Sequence, residues 1–493
     1  MISLSSPLHK PITVHPSSVS FFRHTPPTFI VDSAMNIFLV CLQLLGCASS
    51  GSPHAVRNFM GYNLGASALI HPQWGDASFN TALASLRPGM LRFPSGTYGN
   101  CWSWRNATTV PPCGPTPVNG STLSEFKTAL VASGAAPIFM LNLITSSLDE
   151  QLAMLGAAQA EGLFVDEVFV ELGNEFYFGQ YLSSFKDGTH YGKTAAAWIT
   201  AISAVFPRAA FAVVATPSFG LQGQRPLLWN GQVFAALQAA GISNFSVTMH
   251  EYHSSALNCS GCDLTSARVS EMLSEPAYIA ARMSSAVAAL PNTVVDVWVT
   301  EFSLNMNKGA VSQEARVFGS WASGLFSAAT AILYSQIPRV GILGKHALLG
   351  DASAGALFDV VNGFDVINSV DVSLTTTPMT LSASGFALSV LSNASTGAKS
   401  ALALTLSPAA TLIGTVFGEN AVVANLGAEE ASIPAGALPA GVSQFVSATA
   451  DPLVGINATA GPNAVIVTRG TVDAGAAVAV APFSVTSFTV PRQ

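Results

Sequence analysis

The sequence predicts an α/β protein: a (β/α)8 TIM barrel with a C-terminal all-β sandwich domain. Three observations carry this. From Phe59 to about Leu349, eight near-continuous apolar runs alternate with Ala-rich stretches of helical pattern. No Gly-rich phosphate loop follows any of the runs, which sets aside an open nucleotide-binding sheet. After about Val366 the runs become short, β-rich and broken by Gly, Pro and Asn, with no long helical pattern between them.

Taken in order, the eight barrel strands are read in "FMGYNLG", "GMLRFPSG", "APIFMLNL", "EVFVELGNE", "FAVVATPS", "FSVTMHEYH", "VDVWVTEFSL" and "RVGILGKHALLG". Helices are expected over Ser147–Glu161, Lys193–Phe206, Thr265–Ala289 and Ser312–Tyr334. The later runs "MTLSASGFALSVLS", "SALALTLS", "LIGTVFG", "AVVANLG", "AVIVTRG" and "FSVTSFTV" read as sandwich strands. The expected division is a targeting segment over 1–50, the barrel over 51–365 and the sandwich over 366–493.

The targeting segment rests on "MNIFLVCLQLLGCASS" from Met35. Its apolar run from Ile37 to Leu45 has the length of a signal-peptide core and is too short to span a bilayer, which takes ~20 residues. The chain is therefore expected to be secreted or to enter an endomembrane compartment, with no stable membrane span. Of the six cysteines, Cys101 with Cys113 and Cys259 with Cys262 form two local pairs, read as disulfides of an oxidising compartment. Sequons at Asn106, Asn119, Asn244, Asn258, Asn393 and Asn457 fit a glycoprotein. The 493 residues carry 49% apolar and only 10% charged residues, with a net charge of -7 and no basic cluster, which excludes nucleic acid as a partner.

In a barrel of this kind the carboxyl ends of the strands share one cleft. Those ends supply Arg92, Asn142, Asn174 with Glu175, His250 with Tyr252, Glu301 and His346. The fourth and seventh strands, on opposed sides, each deliver a glutamate. Two carboxylates across a pocket suit glycoside cleavage: one protonates the leaving oxygen, the other attacks or stabilises the anomeric carbon. Apolar neighbours Phe176 and Tyr177 suit Glu175 to hold a proton, as acid/base. Tyr252 or His250 would hydrogen-bond ionised Glu301, as nucleophile, with Arg92 orienting it. Each residue also has a structural reading: Glu175 as a helix-start residue, Arg92 as partner of a buried acid, Asn142 as a turn cap. Trp102, Trp104, Phe176 and Tyr177 are either sugar-stacking platforms or core. His250, His253 and His346 show no repeating acid–histidine spacing, so no metal or other cofactor is assigned.

These residues resemble the clan A retaining glycoside hydrolases. Within that clan the pattern is most similar to the heparanase and β-glucuronidase family, through "LRFPSG", "MLNL", "GNE", the His250–Tyr252 pair and "WVTE". The resemblance implies Glu175 as acid/base, Glu301 as nucleophile, Asn174 near the sugar 2-hydroxyl and Tyr252 beside the nucleophile. It implies a carbohydrate substrate containing uronic acid. Two departures stand out: Phe176 follows the acid/base where the family has Pro, and "NMNKGA", with Lys308, replaces the Gly-rich loop that holds a uronate carboxylate. The charge balance argues against a long sulfated chain. "LRFPSGTYGNCWSW" is also similar to the second strand of α-L-arabinofuranosidases, so an arabinofuranosidase or β-xylosidase-like activity is the alternative, with an inactive carbohydrate-binding barrel as a third.

Overall fold

The computed structural model describes residues 52–64, 74–113, 118–119, 121–217, 223–254, 265–305, 320–349, 361–362, 364–366, 372–374, 379–407, 411–434, 443–449, 451–453, 466–471 and 476–489. The targeting segment, Cys259, Cys262, Asn258, Asn457 and Lys308 lie outside them.

Eight parallel strands close into a barrel: β1 (Met60–Asn63), β2 (Met90–Phe93), β3 (Ala136–Met140), β4 (Val168–Leu172), β5 (Ala209–Val214), β6 (Phe245–Ser254), β7 (Val294–Asn305) and β8 (Val340–His346). They match the eight apolar runs in order. Helices cover the outer face, so both faces of each strand are dry and the runs read as apolar throughout. Inside, Met90, Ile138, Phe169, Ala212, Trp298 and Ile342 fill the lower barrel. Side chains alternate along a strand, so the next inward layer holds Arg92, Met140 and Glu171.

Besides a single turn at Gly96–Gly99, the described α-helices are α1 (Ala77–Leu86), α2 (Leu123–Ser133), α3 (Leu148–Ala160), α4 (Gly188–Val205), α5 (Gln224–Ala239), α6 (Ser266–Ala288), α7 (Trp321–Tyr334) and α8 (Ala383–Ser395). Their starts follow local chemistry. Thr122 and Glu125 form a reciprocal capping box on α2, and Ser147 and Asp187 cap α3 and α4.

The eighth helix corrects the sequence reading. Most of the run "MTLSASGFALSVLS", expected as a strand, falls in α8 (Ala383–Ser395), started by the Ser382 hydroxyl accepting from Gly385 N–H. The run carries Ser and Ala at every face, and burial on nearly all sides erases the polar stripe that marks a helix in sequence. Tyr62 on β1 hydrogen-bonds Ser392 on α8 at 2.9 Å, so α8 closes the barrel's outer layer.

Beyond it lies a seven-stranded antiparallel sheet. His54–Ala55 forms one edge, followed by Ser400–Leu404, Leu412–Phe417, Asn420–Asn425, Ser484–Thr489, Ser443–Ala448 and Ile466–Thr471. A two-stranded sheet, Ala431–Ile433 with Val478–Val480, packs on it over an apolar layer of its own. The junction is continuous: α7 sends the Trp321 indole N–H to the Phe483 carbonyl at 2.6 Å. Phe59 meets Phe417 at a ring separation of 5.3 Å.

After β2 the chain makes a small three-stranded sheet, Trp102–Ser103, Thr108–Thr109 and Val118–Asn119, closed by a Cys101–Cys113 disulfide. Asn106 and Asn244 are exposed, whereas the Asn393 amide donates to the Ser389 carbonyl at 2.7 Å. Among the described residues no helix is long and apolar enough to cross a membrane.

Candidate active site

Glu175 arrives through a short, tightly specified turn after β4. Gly173 has φ 90°, and a Cβ there would sit 2.0 Å from the Phe176 ring, so only glycine fits. Glu175 itself has φ 52°, a left-handed conformation that is strained for a non-glycine residue and recurs at functional sites. Asn100 holds the turn from below: its Oδ1 accepts from Asn174 N–H and its Nδ2 donates to the Asn174 carbonyl, both at 2.9 Å.

Glu301 depends on a bulge. Between paired positions, β6 advances two residues from Thr248 to His250 while β7 advances three, from Trp298 to Glu301. The same extra residue appears against β8. Bulges re-aim side chains beside active sites, and here consecutive residues Thr300 and Glu301 both reach interior partners.

Arg92 stands at the centre. Its guanidinium pairs in bidentate fashion with Glu171, through Nε to Oε2 and through Nη2 to Oε1 at 3.0 Å. Nη1 donates to Glu301 Oε1 at 2.6 Å and Nη2 to Asn174 Oδ1 at 2.8 Å. Tyr252 O–H donates to Glu301 Oε2. His250 Nδ1 lies 3.0 Å from Glu175 Oε1 and 3.6 Å from Glu301 Oε2. Tyr177 O–H donates to Glu175 Oε1 at 3.3 Å. One oxygen of each glutamate and one His250 nitrogen fall within 4.8 Å of each other.

The two carboxylates have different surroundings. Burial pushes Glu301 up, but His250, His346, Arg92 and the Tyr252 hydrogen bond outweigh it and hold Glu301 at about 2. Burial lowers His250, yet Glu301 and Glu175 reverse the direction and leave it raised. Burial lowers His346, which stands edge-on to Tyr252 at 5.7 Å. The phenols of Tyr177 and Tyr252 are held well above their ordinary value, first by burial and then by the glutamates. Glu301 is thus a fixed anion. Glu175 keeps 17% side-chain exposure against 5% for Glu301. Both carboxylates and both His250 nitrogens are engaged by protein groups.

The structure therefore brings together Arg92, Asn174, Glu175, Tyr177, His250, Tyr252, Glu301 and His346. Asn142 is different: its Oδ1 accepts from the N–H groups of Ile144 and Thr145, and its Nδ2 donates to the Trp102 carbonyl and Thr145 Oγ1. It caps a turn. Phe176 and Trp102 are core residues, and Trp104 lies half-buried with Arg105 over its ring at 4.4 Å. Sequence reasoning missed Glu171, Thr300 and Asn100. A charged residue inside the apolar run "VFVEL" was the available signal for Glu171.

No family model and no curated protein matches the chain. Solved structures do. A family 51 α-L-arabinofuranosidase from Bifidobacterium longum aligns with TM-score 0.66 at 13% identity, covering 90% of this chain and 98% of its own. A 4-O-α-L-rhamnosyl-β-D-glucuronidase from Fusarium oxysporum aligns with TM-score 0.61 at 14% identity, covering 90% and 100%. The chain shares the fold of these two enzymes. A family 39 enzyme from Xanthomonas axonopodis shares the fold, with TM-score 0.52 at 13% identity over 90% of this chain and 95% of its own. These neighbours do not specifically show the likeness to the heparanase and β-glucuronidase family suggested by the sequence.

Proposed function

We propose that the chain is a retaining O-glycoside hydrolase working by double displacement, with Glu301 as nucleophile and Glu175 as acid/base. The observation that carries this is the pair of glutamate oxygens within 4.8 Å of each other. Retaining enzymes hold their carboxyl groups ~5–5.5 Å apart, whereas inverting ones need ~6.5–9.5 Å to admit a water. The electrostatics agree: an ionised Glu301 attacks the anomeric carbon, while Glu175 gives its proton to the leaving oxygen and later takes one from water. Arg92 and Tyr252 orient the nucleophile, and Asn174, Tyr177 and His346 line the sugar site.

For the sugar, a neutral pentose such as α-L-arabinofuranose is favoured by one feature. The described cations at the cleft are already engaged, Arg92 by two carboxylates and Asn174, and Lys345 by Ser303 Oγ and the His346 carbonyl. The uronic-acid reading draws on the sequence resemblance and on the glucuronidase among the similar structures; it would call on Lys308. We also infer an extracellular or endomembrane site of action, supported by the Cys101–Cys113 disulfide.

The test is hydrolysis of aryl β-glucuronide, α-L-arabinofuranoside, β-xyloside and β-glucoside by wild type and Glu301→Gln. Turnover of one sugar with retained configuration, falling roughly 10⁴-fold or more in the variant, is the expected result. Inverted product, or a variant as active as wild type, would overturn the mechanism. Binding of glycans without any turnover would point to an inactive carbohydrate-binding barrel.

A further inference from the structure

Thr300 lies between two groups that the mechanism above does not connect. Its Oγ1 is 3.0 Å from Glu171 Oε1 and 3.0 Å from His250 Nε2. All three side chains are buried. Hydrogen accounting settles which way these bonds run. Glu171 receives the bidentate fork of Arg92, a permanently charged partner, so it is a carboxylate and can only accept. The single Thr300 O–H hydrogen therefore goes to Glu171. What Thr300 shows His250 is a lone pair, so Nε2 must carry a hydrogen. The opposite arrangement would set a buried hydroxyl lone pair against a carboxylate oxygen at 3.0 Å, with no hydrogen between them.

We propose that Thr300 is a positioning residue that locks the hydrogen of His250 on Nε2, leaving Nδ1 as the only ring nitrogen that exchanges a proton with Glu175. This deepens the glycosidase reading and rests on it for its catalytic meaning. With Nε2–H fixed, His250 and Glu175 share one proton across the 3.0 Å contact. When Glu175 passes that proton to the leaving oxygen, the pair is left without it. When water attacks the glycosyl-enzyme, the water proton returns to Glu175 and the pair is restored.

The charges around the pair are nearly all fixed by their own partners; Glu251, pushed up to about 7 by burial, is the exception. Glu301 is held ionised at about 2, and Arg92 and Glu171 form a closed ion pair. His346 is pushed down by burial, and the phenols of Tyr177 and Tyr252 are pushed up. Lys345, which acts on His346, is tied to Ser303. Glu251, next in the chain, alternates to the other face of β6 and is common to every variant below. The arrangement could not be read from "VWVTE", because Thr300 reaches the interior only through the bulge on β7.

Thr300→Val keeps the shape and removes the acceptor. Without it, the favoured neutral ring carries its hydrogen on Nδ1 and donates to an ionised Glu175. The pair then loses its shared proton at lower pH. Because the acid must be protonated to act, the alkaline limb of kcat/KM moves down by about one pH unit, roughly a tenfold loss just above the limb. Thr300→Ser keeps the limb in place. A purely structural role would lower activity evenly across pH.

The deciding experiment needs no substrate. The full chain, labelled with ¹⁵N-histidine, is titrated over about pH 5 to 9 by long-range proton–nitrogen NMR. The His250 signals are identified by their loss in His250→Gln. Retention of Nε2–H throughout in wild type and Thr300→Ser, with a switch to Nδ1–H in Thr300→Val, is expected. Loss of the hydrogen from Nε2 in wild type would overturn the proposal even if Thr300→Val does not fold. An unchanged ring in a folded Thr300→Val would overturn it too. Failure of every aryl glycoside would count against the glycosidase reading only, since the tautomer is measured independently.

Discussion

Arg92 is only 2% exposed and carries two carboxylates on one guanidinium. A buried cation of this kind stands only because its partners are in place; removing one member of such a set costs about 3–5 kcal/mol by stranding the others. The sequence suggested two readings, orienting Glu301 and pairing with a buried acid, and the structure pairs Arg92 with both Glu301 and the buried Glu171. Tyr252 makes a finer contribution. Its O–H donates to Glu301 Oε2, and the His250 ring lies farther off, with Nδ1 at 3.6 Å. Tyr252→Phe should lower kcat about 10–100-fold while KM changes little, since a hydrogen bond to a charge is worth ~1.5–3 kcal/mol. Steady-state kinetics on the preferred aryl glycoside would check this, and an unchanged kcat would remove Tyr252 from the mechanism. Glu175, Glu301, His250 and Tyr252 were legible because strand ends in a barrel converge. Thr300 was not, because ordinary alternation would turn it away from its neighbour Glu301.

At the scale of elements, β6 is the most informative. His250 and Tyr252 face the cleft, while Glu251 and His253 face the helices. His253 bonds Glu275 of α6 at 3.1 Å and stacks on Phe326 of α7 at 6.1 Å. Glu251 is 6% exposed; burial pushes its carboxyl up to about 7, only partly opposed by Arg282 of α6. The consequence is a stability slope with a definite sign. Between about pH 4.5 and 7 the unfolded chain has lost this proton while the folded chain keeps it, so stability falls as pH rises through that window. The loss is on the order of 3 kcal/mol. Glu251→Gln should flatten that part of the profile, measured as the denaturation midpoint from pH 4.5 to 7.5. A slope as steep as that of wild type would exclude Glu251 as its source. Alternation within "HEYH" announces two inward and two outward residues, but not what the outward pair meets.

For the whole molecule, barrel and sandwich share one core. Leu343 of β8, Leu388 of α8 and Val485 of the large sheet belong to the same buried cluster. A Cβ on Gly324 of α7 would approach the Ala383 carbonyl of α8 to 2.5 Å, so these helices meet backbone to backbone. Unfolding of the full chain is expected to be a single cooperative transition in calorimetry. A chain ending at residue 365 lacks α8 and the sheet beneath it, and should not fold to a soluble barrel. Two separate transitions, or a stable truncated barrel, would contradict a shared core.

The sequence by itself determined the order of the eight strands, their parallel arrangement and the glutamates at the ends of the fourth and seventh, because a strand buried on both faces leaves an unbroken apolar run. It also marked the β-rich texture of the C-terminal region and the Cys101–Cys113 pair. Only the tertiary structure decided that residues 383–395 are a helix, that Asn142 caps a turn, and that Glu171, Arg92 and Thr300 form a polar layer beneath the carboxylates. Those outcomes depend on what lies across the barrel or against the far sheet. Local periodicity reports how a segment divides its faces, whereas partners hundreds of residues away decide what each face touches.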